Sequence, residues 1–175
     1  DVARFERAAL KALSKGIPVV ALKTGSSAIG SELTVSHTGS LSGAAELFEA
    51  LFARTGVISV TNPSQFLETL KFLCVAGAPK GTGVVGFTCS GGGATMLADH
   101  AEKIGLGFPP VDPAQHTQIA ALLPDIATVS NPLDYTTPIW GQGEQTYPVF
   151  AQTIAATAAD TAVLVQDYPA PGLDA

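Results

Sequence analysis

A histidine lies among hydroxyl-bearing and small residues in the sequence Ser36-His37-Thr38-Gly39-Ser40. An imidazole is substantially unprotonated near neutral pH, so a ring nitrogen can attack a phosphoryl group and later pass it on. The neighbouring hydroxyls and the N–H of Gly39 could donate hydrogen bonds to phosphate oxygens. A histidine in such a loop is more often simply solvated, beside serines that cap the next helix. The pattern alone leaves both interpretations open.

A second candidate site follows the apolar run at residues 84–88, where Ser90-Gly91-Gly92-Gly93 precedes a helical pattern that opens at Ala94. A strand, then glycines, then a helix places free backbone N–H groups at the positive end of a helix dipole, which suits phosphate or carboxylate. Glycine lets the backbone approach the anion closely. The alternative is a tight strand–helix turn that binds nothing.

Known glycine-rich motifs do not explain this second site. No Gly-Lys-Ser/Thr follows it, so it is not a Walker P-loop, and its glycines lack the spacing of a dinucleotide-binding fingerprint. Thr88 stands two residues before Ser90, where a hydrolase nucleophile elbow requires glycine. Ser90 is therefore predicted to donate to an anion and not to act as a nucleophile.

The other histidines and the cysteines have weaker cases. His100 is expected on a solvated helix face, and His116 follows a capped helix start. Cys74 and Cys89 lie in apolar stretches and are expected to be small buried groups. No His, Cys, Asp and Glu spacing matches a structural zinc site.

Composition excludes several classes of function. With 175 residues, 46% hydrophobic and 14% charged, the chain can build a real core. A net charge of −6 argues against general nucleic-acid binding, which needs a basic face. No apolar run reaches the roughly 18 residues of a membrane span, and no signal peptide is visible. A cytoplasmic protein is expected. Because the chain begins at Asp1 in a helical pattern, it is also expected to be a piece of a longer protein.

Helical patterns alternate with short apolar runs along the chain, which indicates an α/β protein with parallel sheets. Residues 78–83 contain one proline and two glycines and are the best linker candidate. The alternation of strands and helices restarts at Val84. Two domains are therefore predicted, residues 1–77 and residues 84–175. The first has only two recognisable strands and is expected to be incomplete. The stretch between Pro124 and Gly143 is predicted to be mostly loop.

Four segments of the chain resemble one family: residues 17–25, residues 36–43, residues 88–95 and the Ser130-Asn131-Pro132-Leu133-Asp134 stretch. They are similar to the nucleoside-diphosphate-forming acyl-CoA synthetases, relatives of succinyl-CoA synthetase. The Ser-His-Thr-Gly-Ser block is the most specific of them. The resemblance covers nearly the whole chain and implies flavodoxin-like, succinyl-CoA synthetase-like domains.

The resemblance implies a mechanism in which acyl-CoA and phosphate give an acyl phosphate. Its phosphoryl group then moves to a histidine and on to ADP or GDP, and each step is reversible. His37 would be the phosphorylated residue. The helix start from Ser90 to Ala94 would be one of two helix N-termini that hold the phosphohistidine. The phosphate-binding set implied is Ser36, Thr38, Gly39, Ser40, Ser90, Gly91, Gly92, Gly93 and Ala94.

Several parts of such an enzyme are expected outside this chain. The resemblance implies CoA, ATP or ADP, and Mg²⁺, bound mainly by a CoA-binding domain and a nucleotide-grasping domain or subunit. The expected partners are those domains and a small carboxylic acid, with no nucleic acid and no membrane, and the protein is expected to be an oligomer. This chain alone is expected to be inactive.

Two alternative functions remain open. The chain could be the non-catalytic, acyl-CoA-sensing region of a protein lysine acetyltransferase, or a generic flavodoxin-like domain that binds phosphate without using His37. The acyl group and the choice of ADP or GDP are not readable. Residues 135–147, with Trp140, are where acyl selectivity would be sought, although Tyr135 and Trp140 are better explained as a local packing cluster.

Overall fold

The computed structural model describes residues 1–30, 32–33 and 45–166. The chain divides into two compact units, Asp1–Ala78 and Pro79–Ala175, which we call the N-terminal and C-terminal units. Thr82 and Gly83 belong to the C-terminal unit by their hydrogen bonds: Thr82 O accepts from Gly107 N at 3.0 Å, and Gly83 O accepts from Asp160 N at 2.8 Å.

The N-terminal unit contains a parallel pair of strands with helices packed against it. Its described elements are α1 (Val2–Leu13), β1 (Val20–Leu22), α2 (Ala45–Thr55), β2 (Ile58–Val60) and α3 (Pro63–Val75). The pairing aligns Val20 with Ile58 and Leu22 with Val60, so the carboxyl ends of both strands meet at one edge. The small core of this unit contains Ala9, Phe52 and Val57.

The start of α3 follows from local sequence. Asn62 has an extended backbone, and its Oδ1 accepts a hydrogen bond from Gln65 N at 2.9 Å. Pro63 occupies the first helical position, where a missing N–H costs nothing. The Gln65 side chain reaches back to accept from Thr61 N at 3.0 Å. Reciprocal capping of this kind satisfies donors that a helix start would otherwise leave unpaired.

The C-terminal unit has a three-stranded parallel sheet in the order β4–β3–β5. Its elements are β3 (Val84–Thr88), α4 (Gly91–Lys103), α5 (His116–Ala120), β4 (Leu133–Asp134), α6 (Gly143–Ala155) and β5 (Thr161–Val165), with short 3₁₀ turns at Pro113–Gln115 and Thr137–Ile139. Helices α4 and α6 pack against β3. The prediction of an α/β protein with parallel sheets flanked by helices is confirmed.

Strand β3 is the centre of the larger core, since all five of its residues are buried. Tyr135 is 2% exposed and meets the Phe150 ring edge-on, with centroids 5.1 Å apart, and Trp140 packs against the same cluster. Their interpretation as a packing cluster is therefore confirmed. The stretch between Pro124 and Gly143 is mostly loop, as expected, although the two-residue strand β4, which was not predicted, pairs there with the end of β3.

Truncating the β4 side chain that enters this core should be costly. Leu133 is fully buried, so Leu133→Ala is expected to destabilise the C-terminal unit by about 2–5 kcal/mol through lost contacts and a cavity. Leu122→Ala, at a leucine 41% exposed, should cost clearly less. Urea unfolding followed by the fluorescence of Trp140, the single tryptophan of the chain, checks both variants. Equal losses would contradict this packing.

Candidate functional site

The glycine-rich candidate site lies at the N-terminus of α4, directly after β3. Ser90 has an extended backbone, and its Oγ accepts from Gly93 N at 3.1 Å. Its carbonyl oxygen accepts from Ala94 N, also at 3.1 Å. The three glycines therefore form the first turn of α4. This corrects the expectation of a turn that ends before a helix opening at Ala94, and the reason is that the serine cap starts the helix three residues earlier.

Two backbone donors at this helix start are free. Among the described residues, neither Gly91 N nor Gly92 N has a hydrogen-bond partner, and both glycines are exposed. Helix α4 runs for 13 residues, so its dipole adds positive potential at the same point. The helix start can thus offer two aligned N–H donors to an anion in solvent.

Gly93 and Gly92 differ in what a side chain at their positions would meet. A Cβ on Gly93 would collide with Thr88 Oγ1 and lie 3.2 Å from Ser90 Oγ, so a side chain at this position conflicts with the packing of the turn. A Cβ on Gly92 would meet no atom of the described residues within 4 Å. The open space over Gly92 is the space from which a ligand could reach the amides.

A carboxylate stands beside these amides. The parallel register places Asp134, the last residue of β4, opposite Thr88. Its Oδ1 accepts from Thr136 N at 2.9 Å, and its Oδ2 lies 3.6 Å from the position a Cβ on Gly91 would take. The site therefore combines N–H donors with one acceptor. Such a pair suits a ligand that carries both an oxyanion and a hydrogen-bond donor.

Asn131 anchors the segment that carries Asp134. Its Nδ2 donates to the carbonyl oxygens of Val84 and Pro109, both at 2.8 Å, and its Oδ1 accepts from Gly86 N at 3.0 Å. Both N–H groups of the Asn131 amide and one lone pair of its oxygen therefore bond to β3 and to the loop beside it. The sequence motif Asn-Pro-x-Asp supported the family resemblance, but no role for either polar residue was predicted.

Removing this anchor should destabilise the C-terminal unit. Asn131→Ala would leave Gly86 N and the two carbonyl oxygens without their partner, and we expect a loss of about 2–4 kcal/mol. Gln142→Ala is the control, because this exposed side chain bonds only to groups within four residues of it: it donates to Pro138 O and accepts from Gln145 Nε2. Thermal unfolding of the two variants gives the comparison. A loss at Asn131 no larger than that at Gln142 would show that the anchor carries little stability.

The histidine-containing candidate site lies in a part of the chain that the structure does not describe. Ser36, His37, Thr38, Gly39 and Ser40 all lie outside the described residues. Only the second half of the predicted site, from Ser90 to Ala94, is described. Within that second half, the structure places Asp134 beside the glycine-rich helix start.

The remaining candidates do not form a site in the described ranges. His100 and His116 are exposed, and His116 Nε2 lies 3.3 Å from Val111 O. Cys89 is buried as expected, but the same expectation for Cys74 was wrong, because it lies on a face of α3 that the N-terminal unit leaves open. No three His, Cys, Asp or Glu side chains cluster as metal ligands among residues 1–30, 32–33 and 45–166. None of the helices described there is long and apolar enough to cross a bilayer.

Comparison with known proteins gives these sites a context. The succinyl-CoA ligase-like flavodoxin domain matches residues 1–73. The α subunit of the ADP-forming acetate–CoA ligase II of Pyrococcus furiosus is 35% identical over 134 residues, which cover 77% of this chain and 29% of that subunit. The α subunit of ligase I from the same organism is 33% identical over 137 residues, 78% of this chain and 29% of that subunit. The chain belongs to the nucleoside-diphosphate-forming acyl-CoA synthetases.

Solved structures agree with this synthetase fold. An acetyl-coenzyme A synthetase from Ca. Korarchaeum cryptofilum, determined with phosphate and ADP, superimposes with a TM-score of 0.81 at 22% identity, covering 97% of this chain and 36% of that one. A Pyrococcus horikoshii protein superimposes with a TM-score of 0.73 at 21% identity, covering 98% and 34%. The chain thus spans about a third of these structures and less than a third of the matched α subunits.

Proposed function

We propose that the chain is part of an acid–CoA ligase that interconverts acyl-CoA, ADP and phosphate with acid, CoA and ATP. Phosphate attacks the thioester carbonyl, so CoA leaves as the thiol and an acyl phosphate forms. A ring nitrogen of His37 then takes the phosphoryl group and releases the carboxylate. ADP attacks the phosphohistidine, which yields ATP and restores the imidazole.

The observation that carries this proposal is the start of α4. Two N–H donors there have no partner among the described residues, the helix dipole adds positive potential, and nothing fills the space over Gly92. We assign phosphate contacts to the Ser90 hydroxyl and the N–H groups of Gly91 and Gly92, and to Ser36, Thr38, Gly39 and Ser40 around the phosphorylated His37. Gly93 and Ala94 were predicted to join them, but their N–H groups bond to Ser90. Backbone donors that are already in place need little reorganisation when charge develops on the phosphoryl oxygens.

Asp134 fits the same proposal. A phosphorylated imidazole carries an oxyanion group on one ring nitrogen, and its other nitrogen bears an N–H when the ring is protonated, so this protonated form needs donors and an acceptor together. The amides of Gly91 and Gly92 supply the donors, and Asp134 supplies an acceptor beside them. The arrangement therefore suits a phosphohistidine whose ring is protonated.

The rest of the enzyme is assigned by the same proposal. Residues 1–77 would be the later part of the histidine-bearing domain and residues 84–175 a second flavodoxin-like domain. Residues 78–83 would link them, although Thr82 and Gly83 at the end of this segment bond within the C-terminal unit. The sites for CoA, for ATP or ADP and for Mg²⁺ would lie mainly in partner domains or subunits of an oligomer. Cys74 and Cys89 form no disulfide with each other, which is compatible with a reducing, cytoplasmic setting.

A turnover assay on the full-length protein tests the proposal against the acyl-CoA sensor. With ATP and Mg²⁺ present, ADP should be released continuously, beyond the one equivalent that accompanies phosphorylation of the histidine, only when CoA and a carboxylic acid are both added, and acyl-CoA should accumulate with it. A sensing module would bind acyl-CoA and release no ADP. Binding without turnover over a panel of aliphatic and aromatic acids would therefore overturn the ligase assignment.

A further inference from the structure

The N-terminal unit contains a small cavity where β1 and β2 end. Its volume is about 90 Å³, and its lining includes Lys23, Ser59, Glu49 and the rings of Phe48 and Phe52. The carboxyl ends of parallel strands are where α/β folds usually bind ligands. Sites that enclose drug-sized molecules take roughly 300–1,000 Å³, so this cavity suits a ligand of only a few heavy atoms.

Lys23, the residue directly after β1, gives the cavity its charge. The side chain is half-buried, and its Nζ lies 5.1 Å from the centroid of the Phe48 ring, within the range of a cation–π contact. The ammonium donates to the carbonyl oxygen of Thr24. An ammonium has three N–H donors, and the described residues offer the other two no hydrogen-bond acceptor and no ion pair.

A half-buried ammonium without a carboxylate partner is costly unless a ligand supplies the counter-charge. We propose that Lys23 binds the carboxylate of a short-chain acid, with the hydroxyl of Ser59 as a second donor and the Phe48 and Phe52 rings against the alkyl group. The identification of this acid as the substrate rests on the ligase function proposed above; the binding itself does not.

Glu49 decides between the two oxyanions that could occupy the cavity. It lines the same cavity from α2 and adds negative charge opposite the ligand. A phosphate ion near neutral pH carries close to two negative charges and is repelled more strongly than a singly charged carboxylate. The apolar walls also favour a ligand with an alkyl group. We therefore expect acetate and butyrate to bind more tightly than inorganic phosphate.

Titration of the full-length protein with ¹³C-labelled acetate, followed by NMR line broadening at low ionic strength, tests this site. Lys23→Met should weaken acetate binding by about 10- to 100-fold, the loss expected for a charge-assisted hydrogen bond. Lys23→Arg should retain most of the binding. Glu49→Gln should tighten it by about threefold, as removal of one nearby charge predicts. Lys71→Met, at an exposed lysine already paired with Glu68, is the matched control and should change nothing.

Two results would overturn the inference. Acetate affinity that is the same in the wild type, Lys23→Met and Glu49→Gln would show that the ammonium does not bind it. Tighter binding of inorganic phosphate than of acetate would make the cavity a phosphate subsite. If Lys23→Met does not fold, the retained binding expected for Lys23→Arg and the tighter binding expected for Glu49→Gln still decide the question. Repeating the titration on His37→Ala separates this inference from the ligase function, because acetate should bind that variant normally.

Discussion

Replacing His37 by alanine is expected to reduce acid- and CoA-dependent ATP turnover by about 10⁴-fold or more, to the background rate. Removing a covalent nucleophile has effects of this size or larger in other enzymes, since no neighbouring group can form the same intermediate. The initial-rate assay of ADP release by the full-length protein measures the loss. Acyl-CoA binding should persist, because the histidine acts on the phosphoryl group.

His116→Ala is the matched control for this variant. His116 is exposed on α5, and its ring contacts only a backbone carbonyl among the atoms described. Its removal should leave turnover within about twofold, as surface substitutions usually have small effects. Equal activity of the two variants would exclude His37 as the phosphoryl carrier. The chain would then be better described as a phosphate-binding domain that does not use this residue.

Replacing Gly92 by valine is expected to slow phosphoryl transfer by about 10²-fold, similar to the loss of one donor from an oxyanion site. The new side chain meets no protein atom where its Cβ would lie, so the fold should survive. Its branched methyl groups would instead occupy the space over the free amides of α4. Rapid-quench measurement of phosphoenzyme formation checks the rate, and circular dichroism checks the fold.

Gly143→Val is the control for the Gly92 variant. Gly143 is the first residue of α6, and a Cβ there also meets nothing within 4 Å. Both changes place the same branched side chain in the first turn of a 13-residue helix. Only the Gly92 variant should lose phosphoryl transfer. An unchanged rate in Gly92→Val would mean that the anion does not approach α4 from this side.

Much of the fold could be predicted because its determinants are local. The Asn62-Pro63 cap marks the start of α3 in sequence, and the same bonds are present in the structure. The apolar run at residues 84–88 indicated a strand, which the structure confirms as β3, with every residue buried. Patterns of this kind depend on neighbours within a few residues, so they survive without knowledge of the tertiary fold.

The errors arose where distant residues decide the structure. Strand β4 has only two residues, and it exists because Leu133 and Asp134 pair with the end of β3 more than 40 positions earlier. Cys74 was expected to be buried from its apolar neighbours, but α3 has no buried residue at all. Local composition cannot show which face of a helix its own unit leaves uncovered.

The candidate sites also differ in whether neighbouring or distant residues determine them. The anion site at α4 was predicted from a strand, a serine and three glycines in succession. Asp134 could not be placed there from sequence, because its position depends on the parallel register with β3. Lys23 gave no signal either, since a single lysine after a short apolar run is common. Its environment comes from Phe48, which α2 brings over the end of β1.

The most direct test of the phosphohistidine mechanism is to incubate the full-length protein with ATP labelled in its γ-phosphate and Mg²⁺, and then to follow the label on the chain. The account predicts one label per active chain, lost in acid, stable in base, mapped to His37, and released as phosphate when acid and CoA are added together. A wild-type protein that takes up no label, or whose label survives acid, would contradict it.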